Sequence, residues 1–216
     1  MKPAPAHDVS VFINCPFDPP YKLMMRALIF AVFDCGFFPR SALEEDNAGE
    51  VRFHKIVRII EECRFGIHDI SRVQLDRSTR LPRFNMPLEL GLFLGATTYG
   101  NDRNREKQCL ILDRDRFRYQ KFCSDISGQD VRAHATKPAK AIGVVRDWLS
   151  IAAAQNNVVI PSGSRIAERF RSFEAELPEW CRRQRLEPRE LTFTDQHQLI
   201  EAWLKTYPWS GTAVEQ

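Results

Sequence analysis

Residues 83–96 read R-F-N-M-P-L-E-L-G-L-F-L-G-A. A carboxylate, Glu89, stands in a run that is apolar at Met86, Leu88, Leu90, Phe93 and Leu94. Two readings fit such a group. Paired with a nearby cation such as Arg83, it is a salt-bridged helix residue. Held at the mouth of a pocket, it is a carboxylate available to a reacting centre. The small residues Gly91, Gly95 and Ala96 follow it and predict a helix that packs closely on its neighbour.

The other residues able to do chemistry fall at the ends of short β-type runs. Asn14 and Asp18 follow a first run, Arg40, Glu44 and Glu45 a second, and Asp69, Ser71 and Arg72 a third, while Asn85 opens the segment that bears Glu89. Amides, carboxylates and guanidinium groups of this kind bind sugars and phosphates. A helix N-terminus beside them adds free backbone N–H groups that favour an anion. His68 alternates with Asp69 and reads as a hydrogen-bonded core histidine. The serines show no nucleophile context. Neither the six cysteines nor the five histidines have zinc-ligand spacing, so no metal is expected.

The elements that must position these groups are readable from periodicity. Residues 8–15 (D-V-S-V-F-I-N-C) alternate and are rich in β-branched and aromatic side chains, a strand ended by P-F-D-P-P. Residues 21–34 carry apolar groups at helical spacing up to Cys35-Gly36, and residues 37–42 make a second strand. Residues 51–63 form an amphipathic helix with Val51, Ile56, Ile59, Ile60 and Cys63 on one face. Strands follow at 65–70, 108–112 and 131–134, and helices at 85–97 and 138–154. Alternating strands and helices of this length predict an α/β fold: a doubly wound, flavodoxin-like, mostly parallel five-stranded sheet. Such a sheet binds ligands outside the carboxyl ends of its strands, where the polar groups above accumulate.

The stretch A-Q-N-N-V-V-I-P-S-G-S suggests a boundary. Residues 1–154 are thus read as the α/β domain and 155–216 as a helical C-terminal extension of two or three helices. The composition is that of an ordinary globular protein, with 44% hydrophobic and 27% charged residues and a net charge of +3. That charge argues against a nucleic-acid partner, although Arg72, Arg77, Arg80 and Arg83 gather in one loop. No apolar run reaches the roughly 18 residues needed to span a bilayer. The first residues, M-K-P-A-P-A-H-D, lack the apolar stretch of a secretory signal, so a cytoplasmic protein with no membrane partner is expected.

Three motifs carry a resemblance to known families. V-F-I-N-C-P-F-D at the first strand end resembles the opening of the nucleoside 2-deoxyribosyltransferase-like and Toll/interleukin-1 receptor (TIR) folds. H-D-I-S-R matches the place where those folds put a polar group near a ribose, and N-M-P-L-E-L-G resembles the Glu-bearing helix of both. The resemblance covers residues 8–150. It implies cleavage of an N-glycosidic bond in a nucleotide, with NAD⁺ as substrate rather than cofactor and Glu89 as the catalytic carboxylate. It further implies that Asn14 or Asp69 holds ribose hydroxyls, Phe17 stacks on the base and Arg40 or Arg72 meets phosphate, with Asp18, Ser71 and Asn85 lining the same site. A bacterial antiphage setting and a homo-oligomer, assembled through the TIR-like domain or the C-terminal helices, follow from the same resemblance. Two alternatives stand beside it: a nucleoside or nucleotide 2-deoxyribosyltransferase or hydrolase, and a non-catalytic nucleotide-binding or self-assembly module.

Overall fold

The computed structural model describes residues 6–73, 75, 81 and 83–209. Five parallel strands form one sheet: β1 (Ser10–Asn14), β2 (Phe38–Arg40), β3 (Phe65–Asp69), β4 (Gln108–Asp113) and β5 (Val131–Ala133), in the order β2-β1-β3-β4-β5. The α/β doubly wound reading therefore holds. β1 and β3 are buried at every position, and their polar residues Ser10, Asn14, His68 and Asp69 are buried along with the apolar ones. The strand order reverses at β1, which pairs with β2 on one side and β3 on the other. The carboxyl ends of β1 and β3, at Asn14 and Asp69, form the switch point where such sheets take ligands.

Successive side chains leave a strand on opposite faces, and the two faces carry different layers. Val11, Ile13, Phe65, Ile67, Leu110 and Leu112 pack with α1 (Lys22–Asp34) and α5 (Pro138–Ala154). On the other face Phe12 packs with Ile56, Ile59 and Ile60 of α2 (Arg52–Glu61) and with Phe93 of α3 (Asn85–Tyr99), and Ile70 and Ile111 with Met86 and Leu90 of α3. A short helix, α4 (Asp102–Arg105), leads into β4.

α6 (Gly163–Gln184) and α7 (Phe193–Thr206) add a further layer outside α1 and α5. This explains the composition of α1. Nine of its thirteen residues are buried, because one side meets the sheet and the other meets the added helices. Phe30 of α1 lies among the rings of Phe170, Phe173 and Trp203, with centroids 5.5, 5.7 and 5.7 Å away. The layer is also tied by charge. Arg26 donates two hydrogen bonds to Glu174, at 2.7 and 2.8 Å, and Asp34 receives the guanidinium of Arg169 and the indole N–H of Trp209. No helix among the described residues is long and apolar enough to cross a membrane.

Three expectations are corrected. Val51 is 60% exposed because it precedes the first turn of α2 in extended conformation. Leu88 is 56% exposed on the outer side of α3. Gly91 and Gly95 do not bring α3 close to anything, since a Cβ at either would meet no atom within 4 Å. The close approach is made from the sheet, at Gly66, where a Cβ would lie 2.6 Å from the Phe93 ring.

Because Phe30 is central to both the sheet-side core and the added layer, Phe30→Ala is expected to cost about 3–5 kcal/mol. Chemical denaturation followed by both near-UV and far-UV circular dichroism checks this, and the two signals are expected to move together.

Candidate active site

Asn14 ends β1 on the α2/α3 side of the sheet. Its amide nitrogen donates to the carbonyl of Met86 in the first turn of α3, at 2.9 Å, and lies 3.0 Å from Nδ1 of His68 in β3. With Nδ1 as the acceptor, the proton of the neutral imidazole is assigned to Nε2. Burial drives the His68 pKa down to about 3, so the ring is neutral. It packs edge-on to Phe93 at 4.9 Å, above Gly66, where a Cβ would sit 2.8 Å from Nε2. The glycine, the histidine and the phenylalanine thus set the height of α3 above β3.

Glu89 lies one turn beyond Met86 and is 3% exposed. Burial raises its carboxyl to about 7, and the positive charge of Arg52 opposes this only in part. Arg83, the cation expected to pair with it, instead contacts Asp18 at 2.6 Å. Among the described residues Glu89 Oε2 has no hydrogen-bond partner, and neither do Asn14 Oδ1 and His68 Nε2. Buried polar atoms in native folds are almost always paired, so three orphans on one side of the switch point are unusual.

Across the sheet, Asp69 faces α1. Its Oδ1 accepts the backbone N–H of Ser71 at 2.8 Å, and its Oδ2 accepts a short hydrogen bond from the Tyr21 hydroxyl. Burial and the adjacent carboxylate push the Tyr21 phenol well above its ordinary range. His134, just beyond β5, places Nε2 3.0 Å from the same Oδ2, off the line of a hydrogen bond. Burial, then the charges of Asp69 and Glu89, raise the Cys15 thiol far out of the nucleophilic range.

The remaining sequence candidates spread around these two clusters. Asp18 pairs with Arg72 at 3.2 Å and with Arg83. Arg40 is buried and turned inward, donating to Glu44 at 2.7 Å and Glu62 at 2.9 Å, so it secures the loop after β2. Its charge is spent on those carboxylates. Ser71 is buried behind Asp69, and Asn85 is exposed at the start of α3. Arg77 and Arg80 lie outside the described residues. Phe17 is half-buried and lines a cavity of about 490 Å³ with Met25, Ala42, Arg52, Leu191 and Phe193. Glu89 is not among the residues that line it; the cavity runs from Arg52, whose charge acts on Glu89, to the first turn of α7, whose N-terminus is closed by a capping box of Thr192 and Asp195.

Sequence reasoning missed Tyr21, His134 and Arg52. Tyr21 follows two prolines and reads as a helix-start residue, and His134 follows a weak three-residue strand. The available signal was position alone, at the carboxyl end of β5 for His134 and the first turn of α2 for Arg52.

Comparison with protein families, with curated proteins and with solved structures finds no match for this chain. The candidate site therefore rests on its own geometry. Among the described residues, no group of three or more His, Cys, Asp or Glu side chains could hold a metal ion.

The raised Glu89 pKa has a signed consequence for stability. Below the unfolded value of 4.5 the carboxyl is protonated in both states and costs nothing. Between 4.5 and about 7 the folded protein keeps a proton that the unfolded chain has lost, so stability falls as pH rises through this window. Glu89→Gln removes the penalty. It is expected to raise stability at pH 8 by up to about 3 kcal/mol, with the gain shrinking to nothing near pH 4.5. Thermal melts of both proteins across this range test the expectation.

Proposed function

We propose that the protein cleaves the N-glycosidic bond of a nucleotide, with NAD⁺ as the first candidate substrate and Glu89 as the catalytic carboxylate. The observation that carries this reading is the buried, unpartnered Oε2 of Glu89 beside the β1/β3 switch point. A carboxylate desolvated in this way is costly to the fold, and groups of that kind concentrate where chemistry is done.

The chemistry suits the group. As the bond from C1′ to the nicotinamide nitrogen breaks, its electron pair leaves with the base and the sugar becomes oxocarbenium-like. An ionised Glu89 stabilises that positive charge or traps it covalently, and water then adds at C1′ and releases a proton. Nicotinamide departs as a neutral base and needs no acid. The cavity lined by Phe17 and Arg52 offers an aromatic face and a cation for the rest of the nucleotide.

One observation favours a second reading. A carboxyl with a pKa of about 7 is half protonated at neutral pH, which suits a general acid. Leaving nucleobases that must be protonated require one, as in nucleoside or nucleotide 2-deoxyribosyl transfer or hydrolysis.

The pH profile separates the two. For NAD⁺ cleavage, kcat/KM is expected to rise through about pH 7 as Glu89 ionises, and for a general acid it falls through the same point. Nicotinamide release from NAD⁺, followed by chromatography, is expected with the wild type and to drop roughly 100-fold or more in Glu89→Gln. Equal release by both proteins removes Glu89 from the mechanism. Release by neither, with turnover of a deoxynucleoside monophosphate, selects the second reading.

A further inference from the structure

A second cavity, of about 280 Å³, opens on the α1/α5 side of the sheet, away from Glu89. Its walls include Tyr21, Ser71, Arg72, Arg114, His134 and Thr136, drawn from four separate loops at the carboxyl ends of the strands. We propose that this cavity binds the phosphate group of a ligand.

Two arginines from different loops line one small space, Arg72 after β3 and Arg114 after β4. Like charges gathered around a cavity repel one another unless an anion lies between them. Among the described residues each has one carboxylate partner, Asp18 at 3.2 Å from Arg72 and Asp115 at 2.7 Å from Arg114. A guanidinium carries five N–H donors, so one such contact leaves it able to fork onto a phosphate. Both side chains are more than a third exposed and can move onto a ligand.

The floor of the cavity is prepared for an anion. The negative charge of Asp69 would oppose one, but that carboxylate is covered by the Tyr21 hydroxyl and the Ser71 N–H. His134 is 1% exposed, and its Nδ1 accepts the N–H of Thr136 at 3.0 Å. That places the imidazole proton on Nε2, which has no hydrogen-bond partner among the described residues. Its nearest acceptor, Asp69 Oδ2 at 3.0 Å, lies off the line of a hydrogen bond, so this buried donor is left without an aligned partner beside the two arginines.

The backbone is built around the same histidine. Ala135 and Thr136 are consecutive non-glycine residues in the left-handed region, with φ of 52° and 55°. That conformation costs roughly 1–2 kcal/mol per residue. It persists here where it turns the Thr136 N–H back onto His134, and strain of this kind collects at ligand sites. The uncapped start of α1, at Tyr21, adds the positive end of a helix dipole, although the preceding prolines at 19 and 20 offer no N–H.

The test is a calorimetric titration with inorganic phosphate at constant ionic strength, on wild type and on the double variant Arg72→Gln/Arg114→Gln. Saturable binding by the wild type is expected, weakened about tenfold or more in the double variant. Phosphate is also expected to shift the His134 ring resonances, a readout that a merely structural role for the arginines would not move. Absence of saturable binding, or equal binding by both proteins, overturns the proposal. Adding NAD⁺ then distinguishes the sources of the phosphate. Competition assigns the site to the nucleotide's own phosphates, and simultaneous binding assigns it to a separate phosphorylated ligand. The binding measurement needs no turnover, so its failure leaves the Glu89 reading standing.

Discussion

The side-chain amide of Asn14 joins three elements that would otherwise be free to slide. It meets the Met86 carbonyl of α3 and the imidazole of His68 in β3, from the last residue of β1. These contacts are fully buried, where a lost hydrogen bond leaves its partner unsatisfied and costs more than the bond itself contributed. Gly66 completes the arrangement by letting Phe93 and His68 sit where a Cβ would stand. With α3 held at that height and angle, Glu89 has no choice of solvent: its helix turn faces inward. The raised pKa, the orphaned oxygen and the proposed chemistry all depend on that orientation.

The two sides of the switch point are built differently from similar parts. On the α2/α3 side the polar groups are left partly unsatisfied, with Glu89 desolvated and opposed only weakly by Arg52. On the α1/α5 side Asp69 is covered by donors, and the charge near the opening is positive. In the proposed reading, the arginine-lined cavity beside the hydrogen-bonded Asp69 takes an anion. In the same reading, the desolvated Glu89 meets a developing cation. The start of α7 forms part of the wall of the cavity that Phe17 and Arg52 also line.

The sheet and its helices were legible because their signals are local. Period-two runs, an apolar helix broken at Cys35-Gly36, and strands of suitable spacing specify this architecture without knowledge of any contact. Glu89 was legible for the same reason, as a charge out of place in an apolar helix. What was illegible depends on distance in sequence. Tyr21, Asp69 and His134 meet across 113 residues of chain, from Tyr21 to His134, and nothing in the weak β5 segment marks the histidine. Arg40 reads as a phosphate ligand at a strand end, and only the fold shows Glu44 and Glu62 consuming it. Gly91 and Gly95 look like a packing surface, yet face open space, because spacing along a helix does not say which side the sheet is on. The apolar excess of α1 was a clue to the outer layer, since only a helix covered on both sides is that uniformly apolar.

The most direct test of this account is the ionisation of Glu89 itself, followed by the ¹³C resonance of its side-chain carboxyl, with Glu89→Gln identifying the signal. A midpoint near pH 7 is the result expected of a buried carboxylate without a partner. A midpoint at or below the ordinary 4.5 would show that water or a cation reaches Glu89, and would contradict the central claim that α3 holds a desolvated carboxylate at the switch point.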